Sequence, residues 1–207
     1  MTIQQYFGDW CKVINLNDAN AILKRLASSR QVIYPCIKDI FKAFTVCSLH
    51  KLRVVIIGQD PSTSPSYFSP YLEVLMESVI DFSLPHGSII FDPSLEKWES
   101  QGVLMLNAAL SCIAGKTGSH ISLWQPFIRS FLTNLSSYTN GIVYVLMGSE
   151  AQSFASCINS RYNHILKTKP LSWYIQNHQP MPSSLWHHIN SILIGQNGYG
   201  IQWYETN

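Results

Sequence analysis

Short apolar runs alternate with longer stretches of three-and-four spacing along this chain. Val54 to Ile57, Val103-Leu-Met-Leu-Asn107 and Gly141-Ile-Val-Tyr-Val-Leu-Met147 are each too short for a helix and end at a glycine or a polar residue. That is the pattern of strands buried on both faces. His164 to Lys167 is a fourth, shorter run. Residues 1–50 read as helical, with one amphipathic helix over Asp18 to Ser28. Pro35 opens a second over Cys36 to Phe44, its apolar face made by Ile37, Ile40, Phe41 and Phe44. Further helices are expected over Tyr71–Ile80, Pro93–Glu99 with Trp98 packed, Trp124–Leu135 begun by Pro126, Ala151–Asn159 and Ser183–Ile194. Ile201 to Trp203 closes the chain as a last apolar run. Proline, serine and glycine mark loops over Ser62–Pro70, Ser83–Pro93, Ala114–Ser122 and Thr168–Pro182. Helices alternating with short buried strands predict one α/β domain over residues 1–207, with a mainly parallel sheet.

Composition narrows this picture little. The chain has 207 residues, 46% hydrophobic and 13% charged, with a net charge of +2. That length can bury a substantial core. No apolar stretch is long enough to span a membrane. The first residues lack a basic region followed by an apolar core, so no signal peptide is expected. The five cysteines (Cys11, Cys36, Cys47, Cys112, Cys157) form no Cys-x-x-Cys pair, which favours reduced thiols over disulfides or a zinc site. A cytoplasmic monomer with no metal and no organic cofactor is expected. Mild positive charge permits a polyanionic partner without demanding one.

The chemistry gathers where the strands end. Gly58 closes the first run, and Gln59, Asp60 and Pro61 follow. In open α/β sheets ligands sit outside the carboxyl ends of the strands, so Asp60 is a candidate base and Gln59 a neighbouring donor. Asn107 ends the second run on the same expected edge. The Gly148-Ser149 turn leads from the third run into a helix, a ready phosphate site.

Taken together, these segments resemble family 1 uracil-DNA glycosylases over nearly the full chain. Tyr34 to Phe44 resembles that family's N-terminal helix, and Gly58-Gln59-Asp60-Pro61 its water-activating motif. Gln101 to Asn107 resembles the strand that ends in the base-reading Asn. Ala114-Gly115, Ser119-His120 and Trp124 fall in the family's order, as do Gly148-Ser149-x-Ala151-Gln152 and a terminal strand at Ile201-Gln-Trp203. The resemblance implies a three-layer α/β/α sandwich around a four-stranded sheet, and DNA as substrate. It implies that Asp60 positions water and stabilises a cationic sugar, that Gln59 shapes the pocket wall, and that Asn107 reads the base edge. Gly148, Ser149 and Ser172 would hold phosphates, and Phe68 would stack on the base.

The departures matter as much. The family motif continues Asp-Pro-Tyr-His, whereas here it continues Asp60-Pro61-Ser62-Thr63. The family's Tyr crowds carbon 5 of uracil, and Ser62 would open that space. Lys169-Pro170 stands where the family has His-Pro, so Lys169 and His178 are both candidates to stabilise the departing base. Trp173 and Leu171 are candidates to fill the vacated stack. The opened pocket predicts a glycosylase for 5-substituted pyrimidines, such as glucosylated hydroxymethylcytosine in phage DNA, in a defence setting. Ordinary uracil excision is the alternative, acting at the nucleoid if bacterial or in the host nucleus or cytoplasm if viral. A third reading is an inactive DNA-binding or processivity module.

Overall fold

The computed structural model describes residues 3–61, 70–80 and 89–206. Four strands, β2 (Val54–Gly58), β4 (Val103–Asn107), β6 (Val143–Met147) and β7 (His164–Thr168), form a parallel sheet in the order β4-β2-β6-β7. Two-stranded antiparallel ribbons flank it: β1 (Ile33–Tyr34) with β5 (Cys112–Ile113), and β3 (Ile89–Ile90) with β8 (Glu205–Thr206).

Strand periodicity divides the interior into two cores. Successive side chains of a strand face opposite ways. Val55, Ile57, Leu104, Leu106, Tyr144 and Leu146 therefore point into one cluster, and Val54, Ile56, Val103, Val143, Val145 and Met147 into the other. The first cluster is closed by α1 (Ile3–Phe7), α2 (Leu16–Ala27), α3 (Ala43–Val46), α6 (Ile121–Tyr138) and α7 (Gly148–Gln152). The second is closed by α4 (Pro70–Val79), α5 (Glu96–Ser100), α8 (Leu171–Gln176) and α9 (Ser184–Asn197). The result is the expected three-layer α/β/α sandwich. Trp98, Trp186 and Trp203 pack at ring-centroid distances of 5.4, 4.9 and 4.8 Å. Trp98 Nε1 also donates to the Trp203 carbonyl at 2.9 Å, tying the C-terminal segment to the second core. Among the described residues no helix is long and apolar enough to cross a membrane.

Several local expectations give way to tertiary packing. The helix expected over Cys36–Phe44 is a 3-10 turn at Ile37–Asp39 followed by the separate short helix α3. One straight helix would align Ile37 with Phe41 and Phe44, but Ile37 is 37% exposed while both phenylalanines are buried against Phe7. The helix expected over Ala151–Asn159 is one turn beginning at Gly148, then a 3-10 turn at Ala155–Cys157. Ser153 Oγ donates to the Glu150 carbonyl at 2.7 Å, and Phe154 swings into the core. Pro126 lies inside α6 and does not begin it, since the helix starts at Ile121. The loop expected over Thr168–Pro182 contains α8, and the one over Ser83–Pro93 contains β3. Ile201–Trp203 forms no strand: Asn190 brackets Ile201 with hydrogen bonds of 2.8 and 2.9 Å, and pairing begins only at Glu205. Residues 1–50 are not wholly helical, because Ile33–Tyr34 pairs with β5.

Candidate active site

Strand order sets the location. From β2 the chain pairs first with β4 on one side, then with β6 on the other. The carboxyl ends of β2 and β6 are therefore a topological switch point, where parallel sheets form crevices. Asp60 follows β2, and Gly148 follows β6 directly.

Gly58 and Asn107 are direct partners in the β2–β4 register. Pairing runs on past the strands, with Ala108 N–H donating to the Gly58 carbonyl at 2.9 Å and Ala109 N–H to that of Gln59 at 3.1 Å. This backbone lock brings Gln59, Asp60 and Asn107 together. It also explains why residue 58 is glycine: a Cβ there would lie 2.7 Å from Asn107 Oδ1.

Asp60 is half-buried and asymmetrically held. Its Oδ2 accepts from Gly118 N–H at 3.0 Å. Its Oδ1 is buried with no hydrogen-bond partner among the described residues. Burial pushes the carboxyl pKa above the usual aspartate range. Glu150 pushes the same way, against the Gly118 N–H, the Gln59 side chain and His120. Glu150→Gln should accordingly lower the pKa of Asp60, read by carbon-13 titration of its carboxyl. An unchanged titration would show that solvent screens Glu150.

With Gly118, His120 and Glu150 are neighbours of Asp60 that sequence reasoning did not assign a role. His120 Nδ1 lies 3.0 Å from Ser111 Oγ, which also accepts from Trp124 Nε1 at 2.8 Å. Burial lowers the imidazole pKa, opposed by the Ser111 backbone and Asp60, while Arg25 adds to the lowering. The signal for His120 was its place in Ser119-His120 ahead of Trp124.

A second group forms beside the first. Gly148 adopts φ +86°, and a Cβ there would meet Pro170 Cβ at 2.9 Å. Gln152 Nε2 donates to the Thr168 carbonyl at 2.8 Å. The Gly148–Ser149 turn is thus clamped onto the Lys169–Pro170 segment, with Ser149 exposed. Lys169 Nζ lies 5.5 Å from the centroid of the Trp173 ring, and Ser172 is half-buried in the first turn of α8. His178 sits after α8 with φ +50° and is exposed. Neither Lys169 nor His178 is among the strongest influences on Asp60. Ser62 and Phe68 lie outside the described residues.

A cleft of about 760 Å³ opens at the other end of the sheet, lined in part by Lys51, Arg53, Gln101, Gln196 and Tyr199. It contains none of these groups. The C-terminal ends of α5 and α9 border it, and their negative dipole ends disfavour phosphate.

At the switch point the chain thus offers a partly desolvated carboxylate, one oxygen of which has no hydrogen-bond partner among the described residues. Asn107 ends the neighbouring strand β4, and the Gly148–Ser149 turn follows β6 on the other side of β2. The profile described as the Uracil DNA glycosylase superfamily matches residues 44–193. Uracil-DNA glycosylases of Escherichia coli O81 (strain ED1a) and O157:H7 (strain EC4115 / EHEC) are 36% identical over 176 residues, covering 72% of this chain and 74% of each relative. The crystal structure of mimivirus uracil-DNA glycosylase superimposes with a TM-score of 0.71 at 19% identity, covering 98% of this chain and 93% of that one. The wild-type UNG of Nitratifractor salsuginis gives a TM-score of 0.59 at 18% identity, covering 90% and 89%. These structural likenesses concern the fold.

Proposed function

Because the chain belongs to the uracil-DNA glycosylase superfamily, and with it to the DNA N-glycosylases, we propose that it excises uracil from DNA and leaves an abasic site. The observation that carries this reading is the juxtaposition of Asp60 and Asn107, fixed by the Gly58–Asn107 register, in a chain 36% identical to curated uracil-DNA glycosylases.

A base inside a duplex is out of reach, so the nucleotide is flipped into the pocket. The bond from the sugar C1′ to the base nitrogen breaks with both electrons leaving on the base. Positive charge develops on the sugar, where the ionised Asp60 stabilises it. Water held by Asp60 Oδ1 adds its oxygen to C1′, and its proton passes to Asp60 and on to solvent. The released base anion then takes up a proton. Asn107 reads the base edge, and Gln59 lines the pocket beside it. Gly148 and Ser149, with Ser172, hold phosphates and set the strand's register. Of the two side chains considered for the departing base, both exposed, Lys169 is favoured because its neighbours Thr168 and Pro170 hold that segment against the Gly148 turn and Gln152.

One sequence observation favours a second reading. Ser62 follows Pro61 where the family carries Tyr, so the pocket would admit a substituent on carbon 5, such as that of glucosylated hydroxymethylcytosine in phage DNA. Base release measured by mass spectrometry from normal, uracil-containing, hydroxymethylated and glucosylated DNA separates the readings, with Asp60→Ala as control. Release of uracil alone supports repair-type excision. Release from modified DNA alone supports the opened pocket. DNA binding without release from any substrate refutes both and leaves a binding module.

A further inference from the structure

Two segments that meet near the candidate site carry cations and no carboxylate. Residues 19–38 contain Lys24, Arg25, Arg30 and Lys38 and no carboxylate. Residues 100–149 contain Lys116 and Arg129 and again no carboxylate. The fold brings parts of these two segments together. The β1–β5 ribbon pairs Ile33 with Ile113, and Ala114 N–H donates to the Val32 carbonyl at 2.9 Å. Arg30 stands two residues before that hydrogen bond and Lys116 two residues after it. Lys116 N–H closes a tight turn onto the Ile113 carbonyl at 2.8 Å, with Gly115 at φ +73°. Two residues further on, Gly118 N–H holds Asp60 at 3.0 Å. Arg25, in the last turn of α2, is near enough to act electrostatically on His120. All three cations are exposed, and they have no ion pair among the described residues.

We propose that Arg25, Arg30 and Lys116 form a phosphate-binding ridge that holds the DNA strand on the β4 side of the site. The Gly148–Ser149 turn lies on the β6 side, so the strand would be gripped on both flanks of the flipped nucleotide. The ridge rests on the reading of this site as one that acts on DNA. Its physical basis is general. Cations gathered without carboxylates repel one another, and a row of phosphates relieves that repulsion while releasing condensed counterions. No base is read by such contacts, so the ridge adds affinity and positioning, not sequence preference.

The test is fluorescence anisotropy of a labelled duplex without an excisable base, titrated at several potassium chloride concentrations. The proteins compared are the wild type, the single variants Arg25→Gln, Arg30→Gln and Lys116→Gln, and the triple variant. Lys12→Gln and Lys51→Gln, exposed positions away from the ridge, serve as controls. Each ridge residue that meets a phosphate should reduce the slope of log affinity against log salt by about 0.9. The triple variant should lose roughly two to three units of slope, and bind about 10- to 1000-fold more weakly at low salt. The controls should leave the slope unchanged. Singles and triple keeping the wild-type slope while folded overturns the ridge, whether or not the wild type releases a base. A reduced slope in a protein that releases no base from any DNA supports the ridge and refutes the proposed glycosylase substrate. A wild type that does not bind DNA overturns both.

Discussion

Asp60→Asn should reduce base release by about a thousandfold, within the 10²–10⁴ range typical of a positioned general base, and at the same time raise the melting temperature at neutral pH. The two effects have one cause. Burial pushes the Asp60 carboxyl pKa up, so ionising it costs the folded state free energy. Its stability contribution is complete below the unfolded aspartate pKa of about 3.9 and is lost as pH rises through the higher folded pKa. Asparagine removes the charge but keeps an oxygen to accept from Gly118 N–H. The gain in melting temperature should therefore appear near neutral pH and vanish near pH 3. Wild-type activity has the opposite dependence, because the reaction needs the ionised carboxylate. It should fall as pH drops through the raised pKa, with an acid limb above the ordinary aspartate range. Rate profiles and thermal melts on the same two proteins check both. An Asp60→Asn protein with wild-type turnover would remove Asp60 from the chemistry.

Gly58→Ala should cost base release about 10- to 100-fold without touching the substrate itself, acting through Asn107, whose own loss (Asn107→Ala) should cost about 10²–10³ as for other preorganised polar groups. Gly58 is not in the left-handed region, so alanine meets no backbone penalty. The new Cβ would instead stand 2.7 Å from Asn107 Oδ1, with the Leu106 carbonyl also close at 3.9 Å. Gly58 is locked to β4 by register and by the Ala108 N–H on its carbonyl, and β6 holds the strand up to Ile57, so the amide must rotate. The prediction is strongly non-additive. In the double variant the Asn107 side chain is already gone, and Gly58→Ala should cost nothing further. Single-turnover base release for the four proteins of the cycle measures this. Additive losses would mean that Gly58 acts by another route, such as displacing Gln59.

Much of this molecule was legible in the chain. Val54–Ile57, Val103–Asn107 and Gly141–Met147 announced themselves as strands because a parallel sheet covered on both faces requires continuous apolar residues, although the third pairs only from Val143. Asp60, Asn107 and the Gly148-Ser149 turn stood out because strand ends are where a parallel sheet exposes polar groups, and these three follow apolar runs directly. The terminal strand expected at Ile201–Trp203 was illegible for the opposite reason. Those residues are apolar because Ile201 and Trp203 pack into the second core, and burial alone does not distinguish a packed coil from a strand.

What only the tertiary structure decided is how the parts meet. Periodicity cannot tell that Cys36–Phe44 bends into two turns, because the bend is set by distant partners, Phe7 and Phe131. Nor does it reveal that Gly118, 58 residues along the chain, supplies the hydrogen bond to Asp60. The same holds for Glu150 and His120, which meet the Asp60 carboxylate electrostatically from two other segments. Local patterns determine which segments are strands and helices, because backbone hydrogen bonding and burial act residue by residue. The protonation of Asp60 and the seat of Asn107 depend on groups remote in sequence, and only the folded chain places those groups beside them.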